Sequence, residues 1–140
     1  MSKARAPKDR MPATGFPGAR LRLRVVFAND IRLGPGKADL LEAIDRAGSI
    51  SAAGRDLGMS YRRAWMLVDE INRLFRQPAV SSNVGGAHGG GAQLTDFGRD
   101  LVAAWRRIEA RTEAVVGEEL APFADALSVE ARRPAREPER

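Results

Sequence analysis

The first regular pattern along the chain is an alternation of apolar and basic positions. Residues 21–25 read Leu-Arg-Leu-Arg-Val, which is the period of a strand with one buried face. Asn29-Asp30 favours a turn, and residues 31–33 favour a short return strand. We therefore predict a small N-terminal hairpin.

A helical period replaces this alternation after the break at Gly34-Pro35-Gly36. Between this break and Gly48, apolar residues recur at helical spacing and charged residues occupy the opposite face. Gly48 lies at the C′ position, where a glycine commonly ends a helix. The apolar positions are Leu40, Leu41, Ile44 and Ala47. The pattern predicts a first helix that begins near Lys37.

Residues 49–68 predict two short helices in close succession. Ser51 is suited to cap a first helix that runs to about Leu57, and Gly58 can adopt the left-handed conformation that ends it. Ser60 can then cap a second helix. Helices joined by so short a turn pack closely, and Ala53-Gly54 supplies the small residues that this requires. The spacing is that of a helix-turn-helix.

The second helix has one apolar stripe and one polar face. Ala64, Leu67, Val68, Ile71, Leu74 and Phe75 share the stripe at about 100° per residue. The exposed face begins with Ser60, Tyr61, Arg62, Arg63 and Met66. In a helix-turn-helix this end of the second helix enters the major groove, so these five residues, together with Ser51, are our candidate DNA contacts.

A glycine-rich hairpin and a long helix follow. Residues 79–84 and 92–94 favour two short strands, and residues 85–91 contain five glycines around His88. We interpret this tip as a wing, with His88, Gly89 and Gly90 as further DNA contacts. Thr95 is suited to cap a helix over residues 95–120, about 40 Å long at 1.5 Å per residue. Its apolar positions step at three to four residues and predict a dimerisation seam that includes Leu101, Trp105, Ile108 and Val115. For Trp105 and Ile108 a place in the core of the same chain is the alternative, and we favour the seam because the helix is longer than the domain can cover.

Composition narrows the possible classes of protein. The 140 residues suit one domain, and the absence of cysteine excludes disulfides and thiolate metal sites. No run approaches the roughly 20 apolar residues of a membrane span, which favours a cytoplasmic protein. Of the net charge of +5, most lies in the first 20 residues, which hold five basic side chains against one acidic one. We predict a flexible basic arm over residues 1–19, a domain over residues 20–127 and a disordered tail over residues 128–140, and a basic arm favours nucleic acid as the partner.

Several residues leave more than one interpretation open. The glycine run lacks the G-K-[ST] of a phosphate loop, so nucleotide binding is disfavoured. His88 can be a solvated loop residue or a phosphate contact, and Tyr61 can stack on a sugar or lie along the domain surface. Trp65 favours a place at the edge of the core over a base contact. No acidic pair or nucleophile is placed for catalysis, so we expect a protein that is not an enzyme and has no metal or cofactor.

The order of these motifs resembles a known family. The run G-S-I-S-A-A-G-R-D-L-G-M-S-Y-R-R-A-W from Gly48, the segment G-G-A-H-G-G-G-A and the following L-T-D-F-G-R-D-L are similar to the N-terminal DNA-binding domain of the ModE molybdate-responsive bacterial regulators. That domain is itself related to the winged helix-turn-helix of LysR-type regulators. The resemblance covers residues from about Leu21 to Leu120.

The resemblance implies a fold, a partner and a function. The expected fold is mainly α with small β elements, a winged helix-turn-helix with a long C-terminal dimerisation helix. The expected function is sequence-specific binding of double-stranded DNA by a homodimer at an inverted repeat, with genes of molybdenum uptake or molybdoenzymes as the targets that the resemblance suggests. We expect no molybdate site, because the chain ends before the C-terminal molybdate-binding domains common in that family. A partner-dependent adaptor remains the alternative function, and a small-ligand sensor or enzyme that uses the glycine loop is a weaker one.

Overall fold

A computed structural model describes residues 19–83 and 90–128 of the chain. The predicted basic arm lies outside the described residues except for Ala19, and the predicted tail does so except for Ser128. His88 and Gly89 of the predicted wing tip also lie outside them.

The described residues form a mainly helical fold with two small antiparallel hairpins, which confirms the predicted fold class. The helices are α1 (Pro35–Ala47), α2 (Ile50–Asp56), α3 (Tyr61–Leu74) and α4 (Asp96–Leu120), and a 3-10 turn follows at Ala121–Ala126. The strands are β1 (Val25–Val26), β2 (Arg32–Leu33), β3 (Val80–Asn83) and β4 (Gly91–Leu94). No helix in the described ranges has both the length and the apolar character needed to cross a bilayer.

The N-terminal hairpin has a shorter ladder than the alternation predicts. Only Val25 and Val26 pair with β2, and the preceding residues 21–24 lie outside the ladder. The turn forms at the predicted place: Asp30 has a positive φ of 64°, and the Asn29 side chain accepts a hydrogen bond from the amide of Ile31 at 3.2 Å. Leu23 still points inward, because it packs against a second hydrophobic cluster around Trp105.

The cap of α2 differs from the sequence prediction. The hydroxyl of Ser49, and not that of Ser51, accepts the hydrogen bond from the amide of Ala52. Ser51 is the second residue of α2, where its hydroxyl accepts a hydrogen bond from Nη1 of Arg55. The earlier start buries the side chain of Ile50 in the core, and this burial explains why the helix begins two residues sooner than expected.

α2 and α3 pack closely because their contact consists of small residues. Ala53 and Ala64 are fully buried, and Gly54 on α2 is buried as well. A Cβ atom at residue 54 would lie 3.3 Å from both the Cβ of Ala64 and the carbonyl oxygen of Met59. Gly58 has the predicted left-handed conformation, with φ at 68°, and turns the chain toward α3.

The second hairpin is joined to the helical part of the fold at its base. β3 and β4 pair in register from Val80 opposite Leu94 to Asn83 opposite Gly91. The amide of Ala92 also donates to the carbonyl oxygen of Gly48 at 2.9 Å. The hairpin therefore lies against the junction of α1 and α2.

α4 is fixed to the core along its first half. The hydroxyl of Thr95 caps it by accepting from the amide of Gly98, as the sequence predicts. Trp105 is only 1% exposed and packs with Leu33 and Ala38. The prediction that Trp105 lies on a dimer seam is therefore wrong, because the N-terminal hairpin and α1 of its own chain cover it. Leu101 is half-buried and packs against the same cluster.

Candidate nucleic-acid interface

The N-terminal end of α3 forms a capped and exposed helix terminus. The hydroxyl of Ser60 accepts a hydrogen bond from the amide of Arg63 at 3.1 Å, as its predicted capping role requires. The remaining amides of the first turn have no partner within the helix and point outward. Because the first turn contains no acidic residue, the helix dipole and the side chains both favour an anion at this end.

Two arginines supply the positive charge at this end. Arg62 and Arg63 are both exposed, and neither guanidinium forms an ion pair with any carboxylate in the part of the chain that the structure describes. By contrast, Arg73 at the far end of the same helix pairs with Asp69 at 2.9 Å. The unpaired cations of α3 are thus those of its first turn.

Large apolar side chains flank these arginines. Tyr61 and Met66 are exposed, and Trp65, which we expected at the edge of the core, is 50% exposed. An exposed tryptophan is unusual on a surface that contacts only water, because it leaves a large apolar area hydrated. The face therefore combines free guanidinium groups with aromatic surface, which suits contacts to both phosphates and bases.

A shallow groove runs along this face. It is lined by Ser60, Arg62, Arg63, Met66, Leu67 and Glu70. Glu70 is the acidic residue in the lining, and Nζ of Lys37 lies 2.8 Å from its carboxylate. Lys37 is itself nearly buried and donates to the carbonyl oxygen of Arg32. The negative charge in the groove is therefore paired from within the domain.

Asn72, which the hydrophobic pattern does not single out, connects α3 to the glycine-rich hairpin. Its Oδ1 accepts from the amides of Ala79 and Val80 at 2.9 and 3.2 Å, and its Nδ2 donates to the carbonyl oxygen of Val80 at 3.2 Å. These three hydrogen bonds fix the base of the hairpin relative to the arginines of α3. An asparagine in a helix interior is a weak indication of such a role, because its side chain competes for backbone partners.

The predicted wing is described only at its strands. Gly90 is exposed and directly precedes β4, so its predicted contact with DNA remains a prediction. Ser51 is half-buried on α2, and its predicted contact likewise remains untested. Among the residues described, no group of three or more His, Asp and Glu side chains is arranged to hold a metal ion.

An ion network that no sequence pattern predicts joins α1 and α4. Arg106 contacts three carboxylates: Asp39 at 2.6 Å and Glu42 at 2.8 Å on α1, and Glu109 at 2.7 Å on α4. Burial alone would lower the pKa of Arg106, but the hydrogen bonds to Glu42, Glu109 and Asp39 outweigh it and raise that pKa. The guanidinium is therefore charged at every ordinary pH.

Beyond this network α4 has an exposed apolar face. Ile108 is 42% exposed and Val115 is 56% exposed. Seven residues separate them, so they lie on one side of the helix. Leu120 and Phe123 extend the exposed apolar surface toward the C-terminal end.

Comparison with known proteins places this geometry in context. No protein-family model matches the chain. It is 45% identical over 96 residues to the molybdenum-pterin-binding protein MopB of Rhodobacter capsulatus, a match that covers 69% of this chain and 36% of MopB. It is 49% identical over 70 residues to the molybdenum transport protein ModE of Azotobacter vinelandii, covering 50% of this chain and 26% of that protein.

A third relative carries DNA binding in its name. The chain is 36% identical over 84 residues to the DNA-binding transcriptional dual regulator ModE of Escherichia coli, covering 60% of this chain and 32% of the regulator. The chain thus spans about a third of the length of the curated relatives it matches. The chain is similar to ModE and Mop proteins along at least half of its own length. These proteins are molybdenum-related regulators and binding proteins.

Proposed function

We propose that this chain is a transcriptional regulator of the ModE family, which binds an inverted-repeat operator in double-stranded DNA as a homodimer. In this proposal α2 and α3 form a winged helix-turn-helix with the β3–β4 hairpin as the wing. The protein acts by binding alone and is not an enzyme. Molybdenum uptake or molybdoenzyme genes are the proposed targets, on the strength of the relatives' names.

The observation that carries this proposal is the pair of unpaired arginines in the first turn of α3. A guanidinium can donate two parallel hydrogen bonds to O6 and N7 of guanine in the major groove. Arg62 and Arg63 are exposed and free of carboxylates among the described residues, so no intramolecular bond has to break before such a contact forms. The capped helix terminus beside them offers amides to a backbone phosphate.

The exposed apolar face of α4 supports the dimer in this proposal. The apolar side chains of Ile108 and Val115 are exposed. Covering them with a second copy of the helix removes apolar surface from water, which lowers the free energy of the dimer. Twofold symmetry then presents two copies of α3 to adjacent turns of duplex, about 34 Å apart or a multiple of that distance.

Selection of bound duplexes from a random pool tests the proposal. We expect an enriched inverted repeat, followed by sequence-specific binding of that repeat in fluorescence anisotropy at several salt concentrations. Affinity should fall steeply with salt, because phosphate contacts release counterions. A pool that shows no enriched sequence, with equal affinity for all duplexes, would rule the proposal out.

A partner-dependent adaptor is the second candidate function. It is favoured by the exposed apolar side chains of Phe123 and Leu127, which extend past the end of α4. An adaptor would bind DNA weakly and without sequence preference. The same selection experiment therefore distinguishes the two functions.

A further inference from the structure

The Arg106 network lies where α4 leaves the rest of the domain. Trp105 is the last α4 residue in the hydrophobic clusters of the described chain, and Arg106 follows it directly. The next exposed apolar positions, Ile108 and Val115, belong to the proposed dimer face. The direction of the outer half of α4 is thus set close to this residue.

A small change in the direction of α4 produces a large displacement at the end of the helix. From Arg106 to Leu120 the helix extends about 21 Å, and a tilt of about 10° would displace its end by about 4 Å. That displacement is comparable to the rise of one base pair, about 3.4 Å. In a twofold dimer the tilt occurs in both subunits, so the separation of the two α3 helices depends on it.

The charges around Arg106 make this direction depend on one side chain. Asp39 and Glu42 lie on α1, and Glu109 lies on α4 next to Glu113 one turn later. Removal of the guanidinium would leave carboxylates of both helices facing one another, and like charges at this separation repel. Without Arg106, repulsion between these carboxylates would therefore push α1 and α4 apart.

We propose that Arg106 is a positioning residue that fixes the direction of α4 against α1 and so determines the half-site spacing that the dimer accepts. This inference rests on the proposed function, because spacing has meaning only for a DNA-binding dimer. Arg106 itself does not contact DNA in this proposal.

The first experiment measures the helix direction without DNA. The chain contains no cysteine, so the exposed Gln77 and Glu118 can be replaced by cysteine and spin-labelled. Mixing with excess unlabelled chain leaves only the distance within one subunit, which double electron–electron resonance reports. Arg106→Gln should broaden or shift this distance distribution, whereas Arg107→Gln, an exposed neighbour outside the network, should leave it unchanged.

The second experiment measures spacing on DNA. A series of duplexes carries the selected half-sites at separations that differ by single base pairs. Arg106→Gln should reduce affinity for the best spacing about tenfold, as expected for loss of a charged hydrogen-bond network. This tenfold loss corresponds to about 1.4 kcal/mol. Affinity for a single half-site should stay within about twofold of wild type, because Arg106 itself does not contact DNA in this proposal. Arg106→Lys keeps one charge but not the three-way geometry, so it should show a smaller loss in the same direction.

Each outcome decides the inference. An unchanged distance distribution in Arg106→Gln overturns it, whether or not thermal unfolding changes. A broadened distribution with an unaltered spacing preference also overturns it, because the direction of α4 would then not determine spacing. If Arg106→Gln does not fold, the same two readouts on Arg106→Lys decide. If wild type shows no sequence-specific binding at all, the proposed function fails, whereas the distance measurement still reports whether Arg106 holds the helix.

Discussion

The carbonyl oxygen of Ala79 lies only 2.1 Å from the position that a Cβ atom would occupy at Gly98. Gly98 is in the first turn of α4, and the same oxygen accepts a hydrogen bond from the amide of Thr95 at 3.0 Å. The hydroxyl of Thr95 in turn donates to the carbonyl oxygen of Pro78 at 2.6 Å. The start of α4 is thus in backbone contact with the segment that follows α3.

Gly98→Ala should destabilise the fold strongly. The added methyl group overlaps backbone that cannot rotate away, and overpacking of this kind costs about 1–3 kcal/mol or more. Gly36→Ala is the matched control, since nothing lies within 4 Å of the Cβ position at this helical glycine. It should raise the free energy of unfolding by about 0.4–1 kcal/mol. Thermal or urea unfolding of the two variants measures the contrast, and equal stabilities would contradict it.

Asn72→Ala should loosen the glycine-rich hairpin. The substitution leaves the amides of the buried residues Ala79 and Val80 without their acceptor, at a cost of about 1–3 kcal/mol for a buried unsatisfied group. Urea unfolding measures this loss, and Gln77→Ala, at an exposed site, is the control. Amide hydrogen exchange should accelerate in β3 and β4 before it does in α1. Uniform acceleration throughout the chain would argue against a local role.

Arg62→Ala should relax the sequence preference of DNA binding. One lost bidentate contact to guanine removes about 1–3 kcal/mol of discrimination. Deleting residues 1–19, most of which lie outside the described part of the chain, should instead weaken binding to all sequences alike and flatten the salt dependence. Anisotropy titrations of operator and random duplexes at several salt concentrations separate the two effects. Identical behaviour of the two variants would refute this division between base and phosphate contacts.

Replacing the exposed apolar face of α4 should dissociate the dimer. Ile108→Glu with Val115→Glu places two like charges on each side of the proposed twofold contact, where charge is strongly disfavoured. Sedimentation equilibrium should show one chain instead of two, and operator affinity should fall with it. Ala110→Glu adds one charge on the opposite side of the same helix and should leave the mass unchanged. A wild-type mass of one chain would contradict the dimer itself.

Glu113→Gln should stabilise the protein near neutral pH. Partial burial and the neighbouring carboxylate of Glu109 raise the pKa of Glu113 above its ordinary value. A carboxyl with a raised folded-state pKa contributes stability below its unfolded pKa and loses it as pH rises through the folded pKa. Glu113→Gln removes this loss. The variant should therefore be more stable than wild type at pH values above the folded-state pKa, and equally stable well below pH about 4.3. Thermal unfolding from acid to neutral pH measures it, with exposed Glu118→Gln as control.

The order and type of the elements could be predicted because local rules determine them. The caps at Ser60 and Thr95 and the glycines at residues 48 and 58 each act within a few residues, and the structure confirms all four. The cap of α2 is ambiguous in the sequence, because Ser49 and Ser51 both satisfy the same rule. Burial of Ile50 decides between them, and burial is a property of the whole fold.

The errors and omissions concern contacts between distant parts of the chain. Periodicity placed Trp105 on an apolar face of α4, but it could not tell whether the hairpin and α1 or a second subunit covers that face. Arg106 and its partners on α1 are more than sixty residues apart, so no local pattern connects them. The exposed arginines of α3 could be predicted, because the amphipathic period of one helix is enough to orient them.

The buried Lys37 has a consequence for the proposed DNA-binding surface of α3. Its ammonium group lies inside the fold, yet it balances Glu70 in the groove beside Arg62 and Arg63. A substitution that neutralises this lysine would change no exposed side chain, but it would set a free anion next to an approaching phosphate. Repulsion of nucleic acid can therefore be introduced from the interior of the domain, by a residue that never touches the duplex.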